Sequence, residues 1–233
     1  MEISVVIPAF NEEKVILQTL TEVKFFLLKN YQSFEIIVVD DKSTDRTLDL
    51  LENFSEIKLL KNQKNHGKGY SVAKGVKAAK GEWILFMDAD NSTKIKELNN
   101  FKPDLEENDL LIASRAVAGA KIIDSQAKWK VIFGRLGNKL IQILLLPGIQ
   151  DTQCGFKLFR SELKGIFEQL TIEDWGFDFE LLFLARKKNF KIKELPVEWL
   201  NNQDSKVKFS TYFKTILQVL KVRVNYFLNK YQI

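Results

Sequence analysis

Cysteine and histidine are almost missing from this sequence: its 233 residues contain one of each, Cys154 and His66. A single cysteine cannot close an internal disulfide, which excludes a disulfide scaffold and suits a reducing compartment. His66 sits in the turn Asn65-His66-Gly67-Lys68-Gly69 and reads as a polar turn residue rather than a metal ligand. Long hydrophobic runs are also lacking. The longest strongly apolar stretch without a charge lies between Lys139 and Asp151 and is broken by Pro147. It is about half of the roughly 20 residues a membrane-spanning helix needs. The start has no basic region and carries Pro8, so no signal peptide is expected. There is no Gly-, Ser- or Pro-rich linker, internal repeat or low-complexity tract, so the chain reads as one domain. No glycine fingerprint follows the first apolar run and no Walker A sequence occurs anywhere, which argues against dehydrogenases and P-loop NTPases.

What is present is ordinary for a globular protein: 45% hydrophobic and 28% charged residues. The net charge of +5 is unevenly placed. From Arg186 onward there are 11 Lys and Arg against 3 Asp and Glu, whereas the rest carries 24 against 27. A basic tail on a mildly acidic body suggests an anionic partner surface or a solvated lysine-rich helix.

Short apolar runs at 3–7, 35–39, 83–87 and 110–113 read as strands buried on both faces of a parallel sheet. Helical spacing of apolar residues predicts helices over 13–28, 44–54, 69–79, 130–146, 177–188 and 209–228. Residues 192–199 contain Pro196 and read as an edge strand at best. Alternation of strand and helix implies an α/β, Rossmann-like, doubly wound and mostly parallel sheet, followed by a C-terminal amphipathic helix.

Ligands of such sheets bind beyond the carboxyl ends of the strands. After the second strand comes Asp40-Asp41-Lys42-Ser43-Thr44-Asp45. Its carboxylates can accept hydrogen bonds from ribose or a base, or can merely cap the next helix, as Ser43 or Thr44 can. After the run at 83–87 comes Asp88-Ala89-Asp90. Residues i and i+2 at a strand end share a direction. Two hard oxygen donors aimed together suit Mg²⁺ or Mn²⁺ bridging to a diphosphate. Lys68 and the amides of the Gly67-Lys68-Gly69 turn can approach a phosphate.

These pieces together resemble the family 2 glycosyltransferases of GT-A fold. Within them, the chain resembles most the polyprenyl-phosphate glycosyltransferases, including the dolichyl-phosphate β-glucosyltransferases. The resemblance rests on Val5–Glu13, Val39–Thr47, Lys61-Asn62, Gly67-Lys68-Gly69, Phe86–Lys94, Ala113-Ser114-Arg115, Asp151–Phe159, Trp175–Leu182 and Glu194–Trp199. It covers nearly the whole chain, and Asp151–Phe159 is its most specific piece. Lys42 and Asn91 stand where many relatives have glycine, and the N-terminal membrane anchor of eukaryotic relatives is not seen here.

The resemblance implies an inverting transfer of a hexose, glucose from UDP-glucose, to a polyprenyl or dolichyl phosphate. GDP-mannose-dependent transfer to the same lipid and a non-catalytic nucleotide-sugar-binding protein are the alternatives. It assigns residues 1–204 to the catalytic domain and 205–233 to a basic amphipathic helix, either part of that domain or a membrane-surface contact. The implied donor-binding residues are Pro8, Phe10, Glu12, Asp40, Asp41, Lys68, Asp88, Ala89 and Asp90. Asp90 and Asp88 would hold the metal, Mg²⁺ or Mn²⁺. Asp178 falls at the position of a catalytic base, with helix capping as the plain alternative. Arg115, Arg135 and Lys157 are candidates for the acceptor phosphate. The expected partners are thus a nucleotide-sugar, a polyprenyl phosphate and an anionic membrane surface, with no nucleic acid, at the cytosolic face of a membrane.

Overall fold

The computed structural model describes residues 1–123, 128–200 and 209–232; the side chains of 128–133, 135 and 209–213 lie outside that description. The strands are β1 (Ile3–Ala9), β2 (Phe34–Asp40), β3 (Lys58–Lys61), β4 (Trp83–Met87), β5 (Leu110–Ser114), β6 (Lys121–Ile123), β7 (Phe156–Arg160), β8 (Ile192–Pro196) and β9 (Glu198–Leu200). The helices are α1 (Ile16–Asn30), α2 (Thr47–Glu52), α3 (Lys68–Ala78), α4 (Leu98–Phe101), α5 (Lys128–Leu144), α6 (Lys164–Phe167), α7 (Phe177–Lys187) and α8 (Phe209–Phe227).

Seven strands form one sheet in the order β3-β2-β1-β4-β7-β5-β8, and β6 and β9 pair separately. The four apolar runs become β1, β2, β4 and β5, and β8 is the edge strand that Pro196 requires. Two strands of the seven-stranded sheet escape sequence reading. The short edge strand β3 carries only Leu59 and Leu60 between lysines. The other is β7, which runs antiparallel between β4 and β5, with Met87 opposite Phe156 and Trp83 opposite Arg160.

The sheet is covered on both faces, as buried strands demand. One face packs Val6, Val39, Phe86 and Phe159 against Val72 and Val76 of α3, Ile141 of α5, Phe177 and Leu181 of α7 and Val222 of α8. The other packs Val5, Ile7, Val38 and Leu85 against Ile16, Leu20 and Val23 of α1 and Leu98 and Phe101 of α4. Each such fully buried side chain contributes roughly 1.5–3 kcal/mol of transfer free energy. Helix α7 carries Asp178 and Glu180 in its first turn and Arg186 and Lys187 in its last, which complements the helix dipole.

Helix α8 shows two opposite stripes. Thr215, Val219, Val222 and Asn225 are buried against the domain, while Ile216, Leu217, Leu220, Val224, Phe227 and Leu228 face outward. Leu136 and Ile143 of the neighbouring α5 are exposed as well. The tail is therefore a packed helix that also leaves an apolar face uncovered among the described residues. Of its cations, Lys221 donates to the Thr171 carbonyl at 2.7 Å, and Lys206 and Lys208 lie outside the described residues. No described helix is long and apolar enough to cross a membrane.

Candidate active site

The carboxyl ends of β1, β2 and β4 lie together at one edge of the sheet. Each chain segment leaves its strand through a single left-handed residue: Asn11 at φ +55°, Lys42 at +63° and Asn91 at +55°. Such backbone favours glycine, with asparagine the best-tolerated substitute. That is why glycine is at home at the Lys42 and Asn91 positions.

The first two loops are stitched to each other. Ser43 Oγ accepts the Asn11 N–H at 3.0 Å, Thr44 N–H donates to Asn11 Oδ1 at 2.8 Å, and Thr47 Oγ1 accepts the Glu12 N–H at 2.7 Å. Helix α2 starts only at Thr47, later than the sequence suggests, so Ser43 and Thr44 bind Asn11 instead of capping it. Asp45 accepts the Thr47 N–H at 2.9 Å in their place.

Asp40 and Asp41 are both buried. Asp40 accepts the Ser43 N–H. Asp41 accepts Asn62 Nδ2 at 2.7 Å, the His66 N–H at 3.0 Å and the Gly67 N–H at 2.8 Å. Asp41 thus shapes the turn that delivers Lys68. Gly67 is required there: its φ is +106°, and a Cβ would meet the Glu173 carbonyl oxygen at 2.7 Å. His66 stacks on Tyr70 with ring centroids 4.0 Å apart.

Lys68, at the start of α3, pairs with Asp88 Oδ1 at 2.7 Å. Its ammonium lies 4.9 Å from the Trp175 ring centre and 5.1 Å from that of Phe86, within cation–π range. Burial opposes the lysine's charge, but Asp88, with Asp178 and Asp90 beyond it, outweighs burial and raises its pKa. Asp90 accepts the Ser92 N–H at 3.0 Å. Burial, and next the charge of Asp88, push its carboxyl above the usual range. Asn91 Oδ1 and Ser92 Oγ are buried without a hydrogen-bond partner among the described residues. Ala89 is buried beneath, its carbonyl accepting Thr19 Oγ1 at 2.8 Å.

The second half of the chain closes the site through the start of β7. The Asp88 N–H donates to the Gly155 carbonyl at 3.0 Å. A Cβ on Gly155 would come within 1.9 Å of Asp88 Oδ2, so only glycine leaves room for that carboxylate. Lys157 has no exposed side-chain surface. Its ammonium is shared between Asp178 and the Cys154 carbonyl, the latter at 2.7 Å. It therefore lies beneath the surface, engaged by protein groups. Burial pushes the Asp178 carboxyl up, and Lys157 only partly offsets this.

Arg115 Nε and Nη2 clamp Asp151 at 2.7 and 2.9 Å, and its backbone N–H donates to the same carboxylate. The side chain of Arg135, on α5, lies outside the described residues. Pro8 and Phe10 are half-buried where β1 ends, and Glu12 follows them. Burial pushes the Cys154 thiol up to about 11, which leaves it inert.

The structure thus gathers Lys68, Asp88, Asp90 and Asp178 into one cluster of coupled charges. Sequence reading missed Asp151, Gly155 and Trp175 as site residues, though all three lie within the motifs that carry the resemblance. Asp151 and Gly155 belong to its most specific segment, which was their signal.

Comparison with known proteins agrees with this arrangement. Residues 4–167 match the family described as Glycosyl transferase family 2. A dolichyl-phosphate beta-glucosyltransferase from Dictyostelium discoideum is 36% identical over 99% of this chain and 76% of its own length. The human protein of that name is 32% identical, over 97% of this chain and 76% of its own. Among solved structures, mannosyl-3-phosphoglycerate synthase from Rubrobacter xylanophilus superposes with TM-score 0.73 at 17% identity, covering 100% of this chain and 76% of that one. Glucosyl-3-phosphoglycerate synthase from Mycobacterium tuberculosis, in complex with Mn²⁺, UDP and glucosyl-3-phosphoglycerate, also reaches 0.73, at 19% identity over 96% and 79%. These neighbours establish the GT-A fold. With its sheet edge, acidic loops and near-complete match to such relatives, the chain belongs to glycosyl transferase family 2, a family of enzymes.

Proposed function

We propose that the chain transfers glucose from UDP-glucose to a polyprenyl phosphate of the dolichyl kind, with inversion at the anomeric carbon. The observation that carries this is the match over 99% of the chain to a dolichyl-phosphate beta-glucosyltransferase. The Lys68–Asp88–Asp90 cluster at the sheet edge, with the buried Asp178 beneath it, supports it.

In the reaction, a phosphate oxygen of the acceptor attacks the anomeric carbon from the face opposite the leaving group. The bond from that carbon to the diphosphate oxygen breaks, and its electron pair departs with the nucleoside diphosphate. The acceptor oxygen is already anionic near neutral pH, by analogy with a phospho-residue whose second pKa is about 6. No proton has to be removed from it, so Asp178 serves orientation rather than base catalysis.

The carboxylates of Asp90 and Asp88 suit a divalent cation, Mg²⁺ or Mn²⁺. Asp90 is a half-buried carboxylate beside a second carboxylate, and two uncharged oxygens next to it lack partners among the described residues. Asp90 and Asp88 would hold the ion, whose charge would offset that developing on the diphosphate. Lys68 adds a cation at the start of a helix, where backbone amides also favour an anion. Pro8, Phe10, Glu12 and Asp40 flank the nucleoside side, while Asp41 acts through the turn it holds. Arg115 and Arg135 are the cations assigned to the acceptor phosphate.

A lipid acceptor requires access to a bilayer. The outward stripe of α8, with Ile143 and Leu136 of α5, offers apolar side chains, and Lys214 is exposed beside them. The enzyme therefore sits peripherally on the cytosolic face of an anionic membrane.

A donor panel tests the proposal. Purified protein, polyprenyl phosphate and Mg²⁺ or Mn²⁺ are expected to give lipid-linked sugar with UDP-glucose and little with GDP-mannose. Preference for GDP-mannose would reassign the sugar, and donor binding without transfer would leave a nucleotide-sugar-binding protein. Flotation with anionic vesicles, weakened by salt, is expected for the full chain; absence of flotation would leave the apolar stripe to a protein partner.

A further inference from the structure

Lys157 and Asp178 form an ion pair with 0% and 2% of their side chains exposed. Such a pair is a poor device for stability, because apolar residues of similar volume hold a core equally well or better. Its position is more telling. Lys157 lies on β7, in the middle of the sheet, between Phe86 of β4 and Ile112 of β5. Asp178 lies in the first turn of α7. The Lys157 ammonium also holds the Cys154 carbonyl at 2.7 Å. The pair therefore fastens the start of α7 to the residues that precede β7.

Those residues define the place of Asp88. The Gly155 carbonyl accepts the Asp88 N–H at 3.0 Å, and the Asp88 carboxylate fills the space that a Cβ on Gly155 would need. Asp88 in turn holds Lys68 at 2.7 Å. An unbroken series of contacts thus runs from α7 through Lys157, Cys154 and Gly155 to Asp88, without any of the first three touching the open edge.

We propose that the buried Lys157–Asp178 pair is a positioning unit that sets the Asp88 carboxylate, by way of the Cys154–Gly155 segment, for binding a cation-bridged nucleoside diphosphate. Neither residue is a catalytic residue in this assignment. It rests on the reading of Asp88 as part of the metal–diphosphate site, but not on the identity of the sugar or the acceptor.

Calorimetric titration with UDP, and GDP in parallel, with and without Mn²⁺, tests this without turnover. The dissociation constant reports geometry, while the fitted stoichiometry reports the folded fraction. In Mn²⁺, Lys157→Met and Asp178→Asn are expected to weaken binding at least tenfold at unchanged stoichiometry. Without Mn²⁺ the change stays below threefold. Lys157→Arg, which keeps the donor, returns affinity to within threefold of the native protein. The double variant is no weaker than the worse single one, because both remove the same tether. Reduced stoichiometry with affinity within tenfold would make the pair a purely structural element and overturn the proposal. Losses that multiply in the double variant, or that are equal without Mn²⁺, would overturn it as well. Should the single variants not fold because each strands a buried charge, the double variant carries no such charge, and its affinity against that of Lys157→Arg answers the same question. Absent lipid-linked sugar in the donor panel would remove the transfer assignment and leave this titration series intact.

Discussion

Two acidic loops leave the same sheet edge and end alike, each on a left-handed residue, yet they do opposite work. Asp41 is satisfied from within, by Asn62, His66 and Gly67, and Asp40 accepts the Ser43 N–H. Asp88 and Asp90 are placed differently. Asp88 is paired with a lysine, and Asp90 accepts one N–H, from Ser92, while burial and its neighbour's charge raise its pKa. A carboxylate whose oxygens are filled by backbone N–H groups is a brace. A carboxylate held close to another without enough donors is poised for a cation. The residue types are the same, and only the supply of donors distinguishes the loops.

That contrast can be broken or sharpened by substitution. The largest effect is expected from Asp90→Ala, which should lower transfer by about 10³-fold, the scale of losing a main electrostatic contact in the transition state, while the melting temperature stays within a few degrees. Full activity in excess chelator together with an active Asp90→Ala protein would end the distinction between the loops. Gly155→Ala comes next. Its Cβ displaces the Asp88 carboxylate, and misplacement on the ångström scale can cost about 10²-fold in rate. The rate at saturating donor, measured beside an unfolding curve, checks it.

Asp41→Ala should show the opposite profile. It leaves buried donors of the 62–67 turn without a partner and is expected to cost about 2–3 kcal/mol of stability, read by urea denaturation, with a smaller loss of activity. A rate loss as deep as that of Asp90→Ala in a fully folded protein would make Asp41 a direct ligand of the donor.

Asp151 provides a third kind of carboxylate, buried but clamped by an arginine. Burial raises its pKa, and Arg115 more than reverses this, leaving it below the ordinary value. A depressed folded pKa means that the stabilisation is complete above about pH 4, the unfolded value. It is lost as pH falls through the lower folded value. Stability of the native protein should therefore decline more steeply on acidification than that of Asp151→Asn, as denaturation from about pH 6 to about pH 3 would reveal.

The smallest effect belongs to the left-handed corners. Lys42→Gly should raise stability by up to about 1 kcal/mol, since an exposed lysine at φ +63° bears a steric cost that glycine lacks. Asn91→Gly should not gain, because asparagine tolerates this backbone and its Nδ2 donates to Glu22 at 2.6 Å. Thermal unfolding of both variants beside the native protein checks the difference.

Strands β1, β2, β4 and β5 were legible because Val, Ile, Leu and Phe crowd into runs such as Val5-Val6-Ile7 and Ile84-Leu85-Phe86, which can only lie between two covered faces. Strand β7 was not, because Lys157 interrupts it, and a lysine reads as solvent-facing until the aspartate that neutralises it is found 21 residues away on α7. The same separation hid Asp151, whose partner Arg115 precedes it by 36 residues. The Asp88-Ala89-Asp90 pattern could be read locally because its chemistry lies within three residues. The division of labour between the two acidic loops could not, since the donors for Asp41 come from residues 62–67. On α8, helical spacing marks an amphipathic helix but cannot say which stripe meets the domain, because Val219 and Val222, which are buried, repeat with the helix as the outward residues do.

One reversed strand has a practical consequence for where this chain can be altered. Parallel strands deliver their final residues to the active edge, whereas β7 delivers its first ones, Gly155 beside Asp88. Its last residue, Arg160, lies opposite Trp83 at the far edge of the sheet. For β1, β2 and β4, inserted sequence is hazardous downstream of the strand. For β7 the polarity is inverted: a peptide tag or reporter placed before Phe156 would pry the site apart, while one grafted into the surface beyond Arg160 would sit at the opposite rim, away from Asp88 and Lys68.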